Sequence, residues 1–175
     1  MPLFYVKILQ NVFVFNMKSK QNNLLILSTI AIITLSIGSH LQWWNLYFYA
    51  GPYLVHHWLG WIGALYIAVI TPIYHLLKRR YPKYMKTLLT IHMFGNIAAF
   101  SLISTHFTQV ITMSVFLGTG LALYVIVAIM VVTGLMQRLQ LLPSFRKSWR
   151  FIHVSLSLSY YIVLSIHILR NVGII

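Results

Sequence analysis

Five apolar runs divide the chain, at residues 23–43, 53–77, 86–108, 110–136 and 150–170. A helix needs about 20 predominantly apolar residues to cross the hydrocarbon core of a bilayer, so each run predicts one transmembrane helix. The polar breaks between them are short. Phe107 to Gln109 alone separates the third run from the fourth, which makes those two helices antiparallel neighbours. Gln137 to Arg150, with Pro143, forms a longer connector. Pro52, after Gly51, is expected to start the second helix, and Pro72 to kink it near its far end. The expected fold is an all-α integral membrane bundle, with residues 1–22 as a cytoplasmic or interfacial segment and 23–175 as the bundle. Within the first segment, Leu3 to Phe15 is apolar but too short to cross and contains Lys7. It fits an interfacial helix or an arm that contacts a partner. The stretch from Met17 has a basic start, an apolar middle and small residues at Ser36 and Gly38, the order of a secretory signal. An uncleaved first span is the expectation.

Composition agrees with burial in lipid. The chain is 59% hydrophobic and 7% charged, against about 25% charged in soluble domains. Its cations alternate in side. Lys7, Lys18 and Lys20 precede the first span; Lys78, Arg79, Arg80, Lys83 and Lys86 lie between the second and third; Arg138, Arg146, Lys147 and Arg150 lie between the fourth and fifth. The other side has Arg170 alone. The positive-inside rule then puts the N-terminus in the cytoplasm and the C-terminus outside. These basic loops act as topology signals against membrane lipid, and no nucleic-acid partner is expected. Trp43, Trp44, Tyr47, Phe48, Tyr49 and Tyr53 suit an aromatic belt at the external interface.

The absent residues narrow the chemistry further. With no Asp or Glu, carboxylate dyads, two-metal centres and carboxylate proton relays are excluded. With no Cys, iron–sulfur clusters, thiolate-ligated haem and covalent haem attachment are excluded too. No glycine-rich loop follows a strand, as a flavin or nicotinamide site would require. Histidine is what remains.

His92 and His106 are fourteen positions apart in the third span, and His153 and His167 repeat that interval in the fifth. Fourteen residues make just under four helical turns and roughly 21 Å of rise, so both members of a pair face nearly the same way. With five spans, the third and fifth run parallel. His92 then lies level with His153, and His106 with His167. Each level offers two neutral imidazoles, the ligand set of a bis-histidine haem, and coordination removes the penalty of an unpaired imidazole in lipid. The competing readings are a polar network or another metal. Zinc would gather its ligands in one place, whereas these are spread over two levels.

Other residues fit around that pair of haems. Gly118 and Gly120 at the outer level and Gly134 at the inner one, on the fourth span, would make room for a macrocycle or simply allow close helix packing; Gly95 could serve either purpose. Arg150 and Lys86 on the inner side and Arg170 on the outer side are candidate propionate partners, or snorkel to lipid head groups. His40, His56 and His57 are expected at the external surface, and His75 near the cytoplasmic end of the second helix. The external group could bind an oxidant metal ion, pass a proton to a quinone or dock a redox partner.

Three segments carry a family resemblance: HHWLGWIGALYIAVITPIYHLLKRR, with Gly60, Thr71 and Pro72; TLLTIHMFGNIAAFSLISTHF; and SWRFIHVSLSLSYYIVLSIHILR, opening on Trp149, Arg150 and His153. In this order, over about residues 50–170, they resemble the ferric reductase-like transmembrane family. The likeness is greatest to its branch of haem-binding membrane subunits that serve a periplasmic methionine sulfoxide reductase. The resemblance implies a b-type cytochrome of a prokaryotic plasma membrane, carrying electrons between two haems. Larger relatives add a cytoplasmic flavin and nicotinamide domain. Electrons are therefore expected here from quinol or a separate redox protein, and an external redox protein or small oxidant would accept them. Members commonly have a sixth span, so a subunit of a larger complex, with a partner completing the bundle, is the expectation. The alternatives are a terminal reductase of ferric iron, oxygen or superoxide at the external face, and a structural haem-bearing subunit.

Overall fold

The computed structural model describes residues 22–24, 26–112, 118–140 and 143–174. Five helices long and apolar enough to cross a membrane account for most of them: α1 (Asn22–His40), α2 (Val55–Arg80), α3 (Met85–Thr112), α4 (Gly118–Leu139) and α5 (Arg146–Asn171). The interfacial segment expected at Leu3 to Phe15, and Lys7, Lys18 and Lys20, lie outside the described residues. All-α holds apart from one small hairpin. Between α1 and α2, β1 (Tyr49–Ala50) pairs antiparallel with β2 (Tyr53–Leu54), Tyr49 opposite Leu54. Gly51 takes the left-handed φ of +69° that the two-residue loop needs. Pro52 thus sits in the hairpin turn and does not start α2, which begins at Val55. The Trp58 indole N–H donates to the Ala50 carbonyl at 2.8 Å and ties the hairpin to the first turn of α2.

The expected break at Phe107 to Gln109 is also corrected. α3 continues through it to Thr112, because these polar groups find buried partners. Gln109 is fully buried, and its Nε2 donates to the carbonyl and hydroxyl oxygens of Ser39, each at 3.1 Å. Thr108 donates to Ser39 Oγ at 2.8 Å, and the Tyr47 hydroxyl donates to the Gln109 carbonyl at 2.7 Å. In an apolar interior such groups must pair with one another, so they clamp the end of α1 onto α3. Lower down, Ile32 of α1 packs with Ile97 of α3.

The other four helices close a ring. Phe107 of α3 stacks on Tyr124 of α4 at 4.2 Å between centroids, and α4 packs in turn on α5. The ring is shut by two tyrosines of α5 that reach α2: Tyr160 donates to the Ala64 carbonyl at 2.7 Å and Tyr161 to the Ala68 carbonyl at 3.0 Å. The second bond has a reason in the sequence. Pro72 lies inside α2 and has no N–H to give the carbonyl four residues back, which is that of Ala68. Tyr161 supplies the missing donor.

The best buried apolar side chains lie between the histidine levels. Ala99, Val127 and Tyr160 are 1–2% exposed and pack in one cluster with Ile67 of α2. Ala99 is midway between His92 and His106, and Tyr160 midway between His153 and His167. Seven residues are almost two full turns, so each midpoint faces inward as its histidines do. Outside, Leu65, Leu76, Phe151 and Leu158 are all more than 60% exposed, an apolar coat that suits lipid and would be a liability in water.

Candidate functional site

At the end of the bundle that carries Lys78, Arg79 and Arg80, here the basic end, α3 and α5 bring His92 and His153 face to edge. Their ring centroids are 6.5 Å apart, with planes at 79°. Rings at this spacing on two separate helices are near enough to serve one site.

Hydrogen bonds decide which nitrogen of His153 is free. Its Nδ1 is 2.9 Å from the Met130 carbonyl and 3.2 Å from Thr133 Oγ1. A carbonyl can only accept, so Nδ1 carries the proton and Nε2 is left as the unprotonated donor to a metal. His92 is held differently. Its ring stacks on Tyr74 at 4.4 Å and 15°, and the Asn96 amide lies 3.3 and 3.4 Å from its two nitrogens. Lys78 Nζ sits 5.0 Å over the other partner in this stack, the Tyr74 ring.

His106 and His167 lie roughly 21 Å further along the same helices, at the hairpin end. His106 Nδ1–H donates to the His56 carbonyl at 3.0 Å, which again leaves Nε2 free. Gly60 of α2 makes room for this ring: a Cβ there would lie 2.7 Å from His106 Cγ. His167 Nδ1 is 3.1 Å from Thr119 Oγ1, with the Asn171 amide 3.3 Å from both ring nitrogens. The structure brings the first expected pair into ring contact, but among the described residues no ring contact joins the second. His106 packs instead beside His56 and His57, at 5.7 and 5.4 Å. Among the described residues, no three histidines are placed to hold one metal ion together.

Several expectations change. His56 is not at the surface but fully buried, its Nδ1 directed at the Leu46 carbonyl 3.5 Å away and its Nε2 without a hydrogen-bond partner among the described residues. His57 is half-buried, His40 is exposed, and His75 is exposed near the end of α2. Gly120 and Gly134 accommodate the α5 imidazoles themselves: a Cβ at either would meet Cε1 of His167 or His153. Gly95 abuts the Tyr66 hydroxyl, and Gly118 opens α4. Arg150, Arg170 and Lys86 are exposed on the helices expected. Lys78, which reaches the His92 stack through Tyr74, was not among the candidates. The four-residue spacing of Tyr74 and Lys78 on one helix face was the available signal.

The donors fit haem iron in kind: neutral imidazoles on separate helices, two of them with Nδ1 tied to a backbone carbonyl. The chain matches no family model, no curated protein and no solved structure.

Proposed function

We propose that this chain is a membrane b-type cytochrome that carries electrons across the bilayer through two bis-histidine haems. His92 and His153 hold one haem at the basic end, and His106 and His167 hold the other at the hairpin end. The observation that carries the proposal is the 6.5 Å separation of His92 and His153, joined to a His153 tautomer that presents Nε2. Bound haem would supply one-electron redox chemistry at its iron. The chain's own residues orient and insulate.

The Met130 and His56 carbonyls fix the rings of His153 and His106. Ile67, Ala99, Val127 and Tyr160 fill the space between the levels and exclude water from it. Lys78 and Arg150 at the basic end and Arg170 at the hairpin end are the cations for haem propionates, and Lys86 stands by the first group. The chain has no Asp or Glu, so no acidic side chain competes for these cations.

By the positive-inside rule the basic end is cytoplasmic, with the C-terminus external, in a prokaryotic plasma membrane. The role and the residues are those of the ferric reductase-like transmembrane family, as a subunit or relay: quinol or a redox protein donates, and an external redox protein or small oxidant accepts. Full burial of His56 favours this over direct reduction of a small oxidant at that residue. The test is transport of electrons across a sealed vesicle. Haem-loaded protein in liposomes should let an impermeant reductant outside reduce ferricyanide trapped inside, and vesicles with His153→Ala protein should not. No transfer by a wild-type protein that holds both haems would overturn the relay.

A further inference from the structure

Helix α4 carries no proposed haem ligand, yet it repeats the histidine interval. Thr119–Gly120 and Thr133–Gly134 are the same dipeptide fourteen positions apart. Each stands against one histidine of α5. Thr119 Oγ1 is 3.1 Å from His167 Nδ1, and Thr133 Oγ1 is 3.2 Å from His153 Nδ1. A Cβ at Gly120 would be 3.3 Å from His167 Cε1 and 3.8 Å from Nδ1; at Gly134 the same distances to His153 are 3.4 and 3.8 Å. The two arrangements agree to 0.1 Å.

Threonine in an apolar helix commonly donates back to its own backbone, and Thr133 does so, to the Ile129 carbonyl at 2.8 Å. That bond spends the hydroxyl proton. The oxygen lone pairs remain, turned to His153, so Thr133 is a second acceptor for the Nδ1–H that also meets the Met130 carbonyl at 2.9 Å. Small residues also serve ordinary helix packing, but here the group that fills both glycine positions is an imidazole, in each case at the carbon between the two ring nitrogens. Threonine and glycine thus meet the same ring: one sets a hydroxyl oxygen beside Nδ1, and the other leaves room at Cε1.

We infer that the two Thr-Gly steps of α4 are a duplicated positioning device that sets the side-chain hydrogen bonding and seating of His153 and His167, and through them tunes the two haem irons separately. This rests on the two-haem proposal. An acceptor on Nδ1–H makes the imidazole a stronger electron donor to its metal, which favours Fe(III). Removing the acceptor favours Fe(II).

The experiment is a redox titration of purified holoprotein with each haem followed by its optical and electron paramagnetic resonance signals. Thr119→Val should move the haem of His167 toward Fe(II) by about tenfold in its equilibrium, a rise of about 59 mV for one electron, and leave the other haem in place. Thr133→Val leaves the Met130 carbonyl on Nδ1–H and should move the haem of His153 alone, in the same direction but by less. Thr→Ser at either site keeps the oxygen and should restore the wild-type potential, which a merely space-filling role would not require. If Val removes a haem outright, the device predicts loss only at that level, with retention in the Ser variant. Unchanged potentials, equal shifts at both haems, loss of both haems from one substitution, or Ser variants that behave as Val would overturn the inference. A wild-type protein without haem would instead overturn the proposed function beneath it.

Discussion

Gly60→Ala adds one methyl group and should disable one haem site while sparing the other. The new Cβ would lie 2.7 Å from Cγ, 2.8 Å from Cδ2 and 3.2 Å from Nδ1 of His106, where ordinary contact begins at 3.4 Å. The ring and the helix must therefore separate by about 0.7 Å, the shortfall at Cγ. Neither yields freely. His106 is tied to the same helix by its bond to the His56 carbonyl, and α2 is pressed on α3 at Gly63, where a Cβ would stand 2.6 Å from the Ala99 carbonyl. Metal–ligand distances tolerate only about 0.2 Å, so the displacement exceeds the margin more than threefold. Overpacking of this kind costs about 1–3 kcal/mol, a strain the His106 site would relieve by giving up its ligand position. Gly134→Ala is the control, since its Cβ would meet His153 Cε1 at 3.4 Å, within ordinary contact. Haem per chain and the separate signals of the two haems are the assay. Gly60→Ala should lose or strongly perturb the hairpin-end haem alone, and Gly134→Ala should keep both. Retention of both haems unperturbed in Gly60→Ala would refute the steric reasoning, as would loss of the basic-end haem in Gly134→Ala.

Three further outcomes are expected. Tyr161→Phe strips the Ala68 carbonyl of the donor that Pro72 cannot supply and should cost about 1 kcal/mol in detergent unfolding; in a Pro72→Ala background, where the backbone N–H returns, the same change should cost measurably less, and equal costs would disprove the link. Gln109→Leu removes both bonds to Ser39 and should raise protease cleavage between α1 and the hairpin without changing haem content, because α1 supplies no ligand. Alanine at His92 or His153 should halve haem content by removing the basic-end haem, and alanine at His106 or His167 should remove the other; complete loss from any one of the four would contradict separate sites.

The spans and the basic-end pair could be read from the sequence because both follow from long-range periodicity. A run of some twenty apolar residues has one use in a membrane, and a fourteen-residue interval keeps two side chains on one face whatever surrounds them. What escaped depends on contacts between helices. Thr108 and Gln109 looked like a loop because they are polar, and only the partner Ser39, 70 positions from Gln109, turns them into the inside of α3. His56 looked external because it opens a helix beside an aromatic loop, and the packing of α3 and Tyr47 around it buries it. Pro52 suited a helix start as well as a hairpin, and nothing local separates the two. The Thr-Gly echo on α4 was half visible: the glycine interval stood out, while the threonines, ordinary residues in an apolar helix, gained meaning only with His153 and His167 beside them.

The central claim is that four histidines on α3 and α5 hold two haems, and the most direct test is the haem-to-chain ratio and reduced spectrum of the protein purified from a haem-replete membrane. Two b-type haems per chain, both low-spin and six-coordinate in the oxidised state, is the predicted result. A colourless protein, or two haems retained with alanine at both His92 and His153, would contradict it.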